Sequence, residues 1–192
     1  FKIYDPRSIN ISTFYNNRMS SVFVESKFLP KTTSYFGVSH NQIQPLFDYT
    51  FVNDEKSYTN YNITAVQLAF QWNPFSNYMQ TPIGKIEYEK RHPKFSLQLT
   101  QTLPGVLEND FAFSKIDFKT FYELPYLSGQ KSSVLLQTGI AFGDVPITHL
   151  YSIVPNNLNR EAILQRVTFA GKNSFETMYF NEFFSNQYAS LQ

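Results

Sequence analysis

Hydrophobic and polar residues alternate with a period of two along most of this chain. Successive side chains of a β-strand point to opposite faces, so this period predicts strands with one apolar and one polar face. The clearest runs cover residues 62–72, 95–100, 113–124 and 134–143. Further strand candidates, in which the alternation is less regular, are 7–16, 19–28, 33–40, 45–52, 161–170, 174–184 and 187–192.

The four clearest runs separate into an apolar set and a polar set. The apolar set consists of Val66, Leu68, Phe70, Trp72, Phe95, Leu97, Leu99, Ile116, Phe118, Tyr122, Val134, Leu136, Ile140 and Phe142. The polar set consists of Gln67, Gln71, Ser96, Gln98, Thr100, Lys115, Asp117, Lys119, Glu123 and Gln137. Two apolar residues, Phe121 and Leu135, interrupt the alternation.

Turn residues separate the runs, mainly as Asn, Pro and Gly. Several intervals are short enough for hairpins, which predicts that neighbouring strands are mostly antiparallel. Two connections are longer, 73–84 and 144–160, and only 159–166 offers a helical alternative. The sequence therefore predicts an all-β, antiparallel fold of roughly 8 to 11 strands. We expect residues 1–192 to form a single domain or a fragment of one.

Composition excludes several classes of protein. The chain has 16 Lys and Arg against 15 Asp and Glu, a net charge of +1, which argues against nucleic-acid binding. Because it has no cysteine, disulfides, thiolate metal sites and thiol nucleophiles are absent. No apolar stretch is long enough to predict a transmembrane helix. Aromatic residues (18%) outnumber charged residues (16%), which is unusual for a soluble domain.

Three architectures fit strands with one apolar and one polar face: a sandwich, a soluble ligand-binding barrel and a transmembrane barrel. A run of 11 residues, tilted by about 40 to 45°, spans roughly 26 Å, close to the apolar band of a membrane barrel. Aromatic residues gather near the ends of the runs, as at a membrane interface. These features favour a transmembrane β-barrel in which the apolar set faces lipid and the polar set faces the lumen. A soluble β-barrel or sandwich that acts as a binding module is the alternative.

Candidate catalytic groups are few. The chain has three histidines, His40, His92 and His149, and contains neither a Gly-x-Ser-x-Gly nor a His-Glu-x-x-His motif. His149, with Ser152 and Asn156 nearby, is similar to the Ser-His-Asn arrangement of outer-membrane phospholipases. A lipid hydrolase is therefore a further alternative, although placement in a loop favours a solvated histidine. We predict no catalytic residue, no metal site and no cofactor.

Charged residues are read as structural rather than catalytic. Glu87 and Glu89 share a strand face, but the cations beside them favour a charged membrane boundary over an acid-base pair. Asp54-Glu55 lacks the spaced ligands of a calcium loop. The ladder of Lys115, Asp117, Lys119 and Glu123 fits pairing with neighbouring strands better than a pore lining or a plug seat.

Three segments resemble a family of Bacteroidota outer-membrane proteins of unknown function. In the first, 84–95, Glu89-Lys90-Arg91-His92-Pro93-Lys94-Phe95 stands where the family has a Gly-Ser-Lys-Tyr-Pro-x-Phe pattern. In the second, Gly143-Asp144-Val145-Pro146 is similar to a Gly-x-Val-Pro strand exit. The third, 182–191, resembles a Glu-Phe-x-Ser-Asp-Arg-Tyr-x-Ser-Leu segment, with Asn186-Gln187 in place of the Asp-Arg pair.

This resemblance implies a large barrel that usually follows a carboxypeptidase-regulatory-like domain, so that the chain is a fragment of the barrel. It also implies a non-enzymatic component of a complex in the outer membrane of a Gram-negative bacterium, acting in transport or in envelope assembly. The expected partners are the lipid bilayer and either other outer-membrane chains or the rest of the same barrel, because a barrel leaves no unpaired edge in lipid.

Overall fold

A computed structural model describes residues 15–46, 51–53, 56–126, 128–151, 155–157, 175–179 and 184–192. These residues form thirteen strands and one turn of 3-10 helix, Ile147–His149. The strands are β1 (Tyr15–Ser26), β2 (Thr32–Pro45), β3 (Phe51–Asn53), β4 (Lys56–Tyr58), β5 (Tyr61–Trp72), β6 (Asn77–Thr81), β7 (Gly84–Glu89), β8 (Lys94–Thr102), β9 (Phe113–Pro125), β10 (Lys131–Gly143), β11 (Pro155–Asn157), β12 (Phe175–Tyr179) and β13 (Gln187–Leu191). The predicted all-β class is confirmed. The helical alternative at 159–166 and the strand candidate at 161–170 lie outside the described residues.

Seven strands form the main sheet, in the order β1-β2-β5-β8-β9-β10-β13. Every neighbouring pair in it is antiparallel, which confirms the predicted strand direction. Because each of the first six follows its neighbour through a hairpin or a longer loop, the sheet is a meander. Within the described part of the chain, β1 and β13 are its edge strands.

Three two-stranded sheets lie outside the main sheet and raise the number of strands above the 8 to 11 expected. They pair β3 with β4, β6 with β7, and β11 with β12. The β11–β12 pair is parallel, an exception to the antiparallel pattern. The β6–β7 hairpin falls largely in a segment read from sequence as a connection. The register of this hairpin shifts between Asn77 and Tyr78, whose partners are Glu89 and Glu87, so that Tyr88 is an extra residue in β7.

The register of the main sheet gives it two chemically different faces. Phe36, Leu68, Leu99, Ile116 and Ile140 lie in one continuous row across five strands. We call the side that carries this row the apolar face. The opposite side, which we call the polar face, carries a matching row of Gly37, Gln67, Thr100, Lys115 and Ala141.

A small hydrophobic core lies against one end of the polar face. After β10 the chain turns back, and residues 144–151, which include the 3-10 turn, pack over this end of the sheet. We call residues 144–151 the fold-back segment. The buried cluster consists of Ile43, Tyr61, Ile63, Phe111, Phe113, Ala141, Val145 and Tyr151. The sequence predicted that the polar side is hydrated. The core is an exception, because the rows of polar residues end before the strands do.

The turn into the fold-back segment depends on Gly143. Its φ of 90° lies in the left-handed region, and a Cβ at this position would overlap the carbonyl oxygen of Ala112. The amide of Asp144 donates to the same oxygen at 3.1 Å, so the backbones of the two connections are in direct contact. Only glycine fits this position without displacing one of them.

We expect Gly143→Ala to lower the free energy of unfolding more than Gly129→Ala does. Gly129 also has a positive φ, 81°, but no atom lies within 4 Å of a Cβ built there. Gly129→Ala should therefore lower the free energy of unfolding only through backbone strain, by about 1 to 2 kcal/mol. Gly143→Ala should cost about 1 to 3 kcal/mol more through overpacking. Urea unfolding followed by Trp72 fluorescence measures both, and equal losses would contradict the close approach.

Candidate functional site

The main sheet exposes its apolar side chains and covers its polar ones. Three consecutive residues of β9 show this most clearly: Lys115 and Asp117 are 8% and 2% exposed, whereas Ile116 between them is 40% exposed. A sheet that folds in water normally buries its aliphatic side chains and exposes its charges. The distribution in β9 is the reverse.

All members of the apolar set lie on the apolar face, as the register shows. Trp72, Ile116, Tyr122, Val134 and Phe142 are exposed there, and the remaining members are half-buried among their neighbours. On β1 and β2 the same face also exposes Val22, Val24, Phe36 and Val38, which the sequence placed only in less regular strand candidates. Contact of this face with lipid stays a prediction.

The apolar face has polar and aromatic boundaries. At one end, His40 Nδ1 lies 2.9 Å from Thr64 Oγ1 on the neighbouring strand. At the other end, the rings of Trp72 and Phe95 stack with centroids 5.5 Å apart. From Val134 to Phe142 the apolar positions of β10 extend about 26 Å along the strand, or about 20 Å after a tilt of about 40°.

All members of the polar set lie on the polar face, but they have different partners. Lys115 and Asp117 are covered by the fold-back segment. Glu123 instead accepts from Lys131 Nζ on β10 at 3.1 Å, which matches the pairing with neighbouring strands predicted for the ladder. The other positions of the set are occupied by serine, threonine and glutamine and by Lys119.

Tyr151 joins the two buried charges of β9. Its hydroxyl donates to Asp117 Oδ1 at 2.6 Å, and its ring lies under Lys115, with Nζ 4.1 Å from the centroid. Lys115 Nζ also donates to the carbonyl oxygen of His149 at 2.9 Å. The polar face therefore provides a seat for the fold-back segment, which is the alternative that the sequence favoured less for these two residues.

Gly139 makes room for this arrangement. A Cβ at Gly139 would lie 2.6 Å from the Tyr188 ring and 2.7 Å from the Tyr151 ring, and the two rings are 4.7 Å apart. The sequence analysis did not single out Tyr151 or Tyr188. The small residues Gly139 and Ala141, which follow Gln137 on the polar side of β10, were the available signal for a close approach.

The phospholipase-like arrangement cannot be assembled from the described residues, because Ser152 and the side chain of Asn156 lie outside them. His149 itself is held in the 3-10 turn, with Nδ1 3.0 Å from Thr148 Oγ1 and its ring 5.4 Å from that of Phe113. Burial, and then the nearby charge of Lys115, lower the pKa of His149 to about 3. The imidazole is half-buried and neutral and packs on Phe113, so it is less solvated than the sequence interpretation expected.

The carboxylates of β7 are paired with cations. Lys94 Nζ donates to Glu87 Oε1 at 2.8 Å, and Arg91 Nη2 lies 2.8 Å from Glu89 Oε1. Burial alone would raise the pKa of Glu87, but the hydrogen bonds and positive charge of Lys94, with smaller contributions from Ser76 and Lys90, lower it. Hydrogen bonds from Asn77 and Arg91 lower the pKa of Glu89. Both groups are therefore poor proton acceptors near neutral pH, in line with the structural reading.

His92 and a shallow cleft are the remaining polar features. The His92 ring contacts Phe121 edge-on, with centroids 5.0 Å apart, so it is partly covered rather than fully solvated. A cleft of about 540 Å³ opens where β1, β2 and the start of β5 meet, lined mainly by side-chain amides together with Arg18. Among the described residues, no group of three or more His, Asp or Glu could hold a metal ion. Asp54-Glu55 lies outside them.

Comparison with protein families identifies the chain. Residues 7–144 match the model of the C-terminal domain of a family of unknown function (DUF5686). The chain therefore belongs to this family. The match covers the segment at 84–95 but ends within the segment at 143–146, and the segment at 182–191 lies beyond it. No curated protein and no solved structure matches the chain. In the described part of the chain, no helix is long and apolar enough to cross a membrane.

We expect Tyr151→Phe to lower the free energy of unfolding by about 1.5 to 3 kcal/mol, because it removes a hydrogen bond to a buried carboxylate. Tyr122→Phe is the matched control. Tyr122 is exposed on the apolar face, so Tyr122→Phe should lower the free energy of unfolding by less than about 0.5 kcal/mol. Urea titration of both variants measures the difference, and a loss at Tyr151 no larger than that at Tyr122 would contradict the bridging role.

The pKa of His149 predicts a pH dependence. In the unfolded chain the imidazole has its ordinary pKa of 6.5, and in the folded chain it stays neutral down to about 3. Below pH 6.5 the unfolded state binds more protons, so this contribution to stability is present above pH 6.5 and is lost as the pH falls towards 3. His149→Gln should lose less stability over this range in urea titrations. Identical pH profiles of the two proteins would contradict the lowered pKa of His149.

Proposed function

We propose that the chain is part of the wall of a transmembrane β-barrel in the outer membrane of a Gram-negative bacterium. The observation that carries this proposal is the inverted pattern in β9, where Ile116 is exposed and Lys115 and Asp117 are covered. The same pattern extends across the sheet, since exposed apolar side chains occur on the apolar face of β1, β2, β5, β9 and β10. A lipid environment makes this exposure favourable, because hydrocarbon solvates aliphatic side chains.

The dimensions of the strands support the same proposal. The first six strands of the main sheet contain between 9 and 14 residues each, and a membrane strand needs about 9 to 11. The stacked Trp72 and Phe95 lie where an aromatic girdle belongs. The edges β1 and β13 would then be completed by the rest of the same barrel or by other outer-membrane chains, because lipid leaves no backbone group unpaired without a large cost.

We further propose a non-enzymatic role for the barrel, as a component of an outer-membrane complex in transport or in envelope assembly. The polar face supports this role, since glutamine, serine and threonine side chains with Lys119 offer a hydrated surface beside the seated segment. The two carboxylates considered for acid-base chemistry, Glu87 and Glu89, are paired with Lys94 and Arg91. A lipid hydrolase is the less favoured proposal.

A soluble binding module is the second candidate, and the amide-lined cleft favours it. Side-chain amides donate and accept hydrogen bonds at once, which suits neutral polar ligands such as saccharides. Membrane fractionation of the full chain separates the two candidates. A barrel stays in the membrane fraction after an alkaline wash, whereas a soluble module is released. Conductance across a planar bilayer then distinguishes a pore from a closed structural wall.

We expect Phe70→Arg to reduce folding stability in lipid by about 2 to 4 kcal/mol, as for an arginine near the middle of the bilayer. Phe70 lies between Ser34 and Leu97 on the apolar face. Gln67→Arg is the control. Gln67 lies on the polar face of the same strand, so this substitution should reduce folding stability much less. Unfolding in vesicles measures both, and equal tolerance of the two arginines would contradict the proposed facing.

A further inference from the structure

The β6–β7 hairpin carries an exposed apolar side. Met79 is opposite Ile86 in the register, and Tyr88, the extra residue at the register shift, lies two residues further along β7. All three are exposed, and Ile83 in the turn between the strands is 90% exposed. Four large apolar side chains thus project from one hairpin without covering one another.

The other side of the hairpin is polar and fixes its orientation. It carries Glu87, which pairs with Lys94 at the start of β8. Lys94 lies opposite Phe121, on the polar face of the main sheet. Because the polar side of the hairpin is turned towards the polar face, its apolar side is directed like the apolar face.

The base of the hairpin is tied to the end of the main sheet. Asn73 Nδ2 donates to the Tyr78 hydroxyl at 3.2 Å, and the Arg91 amide donates to Ser76 Oγ at 3.2 Å. Asn73 directly follows Trp72, whose ring stacks on Phe95. The apolar side of the hairpin therefore continues the apolar face beyond its aromatic boundary.

The hairpin together with the connection to β8, residues 77–94, carries an excess of positive charge. Glu89 and Glu87 are paired with Arg91 and Lys94. Lys85 and Lys90, both exposed, form no ion pair within the described part of the chain. Lysine beside exposed aliphatic and aromatic side chains is the combination found in segments that lie at the surface of an anionic bilayer.

We propose that the β6–β7 hairpin lies in the interfacial layer of a bilayer, with its four apolar side chains among the acyl chains and Lys90 beside lipid phosphates. This inference rests on the proposed function, because it requires the apolar face to be in lipid. A protein partner fits less well, since a stable protein interface needs roughly 20 to 30 residues on each side. The hairpin then anchors the rim of the sheet at one membrane surface.

Single cysteines test the placement, because the chain has no native cysteine. Met79→Cys and Gln80→Cys are neighbours on opposite sides of β6 and form a matched pair. Each is labelled with an environment-sensitive fluorophore in the full chain, reconstituted in vesicles of phosphatidylcholine and phosphatidylglycerol. We expect the label at position 79 to be quenched by brominated acyl chains and to have a blue-shifted emission. The label at position 80 should be quenched several-fold more strongly by iodide in the aqueous phase.

A third label, at Leu68→Cys, separates the failure of this inference from the failure of the proposed function. Quenching by brominated lipid at position 68, with positions 79 and 80 equally accessible to iodide, overturns the inference and leaves the proposed function standing. No lipid quenching at position 68 overturns the proposed function. Protection from iodide at position 79 without lipid quenching points to a protein contact and overturns the lipid assignment.

The phosphate contact has its own test. Lys90→Glu should weaken the lipid quenching of the label at position 79 in vesicles that contain phosphatidylglycerol. The label at position 68 reports whether the sheet is still inserted, and its quenching should not change. Unchanged quenching at position 79 in the charge-reversed variant would overturn the proposed contact between Lys90 and phosphate.

Discussion

The continuous antiparallel register of the main sheet is the constraint on which the rest of the structure depends. Side chains alternate between faces, so a shift of one residue between two strands would move every aliphatic side chain of one strand to the opposite side. Rows such as that of Leu68, Leu99 and Ile116 exist only because the register is unbroken from β2 to β10. The positions of Lys115 and Asp117 against the fold-back segment follow from the same register.

Most of the main sheet could be predicted from sequence, because its signal is local. Alternation within 62–72, 95–100, 113–124 and 134–143 is a property of each strand alone, and these runs correspond to β5, β8, β9 and β10. The two exceptions become intelligible only after the strands are paired. Phe121 and Leu135 are direct cross-strand partners on the polar face, and Leu135 is buried. An apolar pair of this kind stabilises the sheet without belonging to the apolar face.

The seat of the fold-back segment could not be predicted, because it joins residues that are distant in sequence. Tyr151 reaches Asp117, 34 positions away, and packs beside Tyr188. The residue pattern of a single strand does not indicate these contacts. The segment around His149 has the sequence of an ordinary solvated loop. The β6–β7 hairpin was missed for a different reason, since β6 has only five residues and follows the turn residues Asn73 and Pro74.

The choice between a soluble and a membrane barrel depends on which face could form a closed core. A soluble barrel fills its interior with large aliphatic side chains. Here the covered face carries Ala65, Ala69, Gly139 and two buried charges, whose desolvation has to be offset by tyrosine and backbone partners. Ile43 and Ile63 in the small core and Leu135 opposite Phe121 also lie on this face, but most of the large aliphatic residues of the main sheet are on the other side. If the sheet curled around its apolar face, Lys115 and Asp117 would lie on the outer wall with the fold-back segment still packed over them. If the sheet curls around its polar face instead, the fold-back segment becomes a loop folded into the barrel. The aliphatic residues then face lipid, which solvates them.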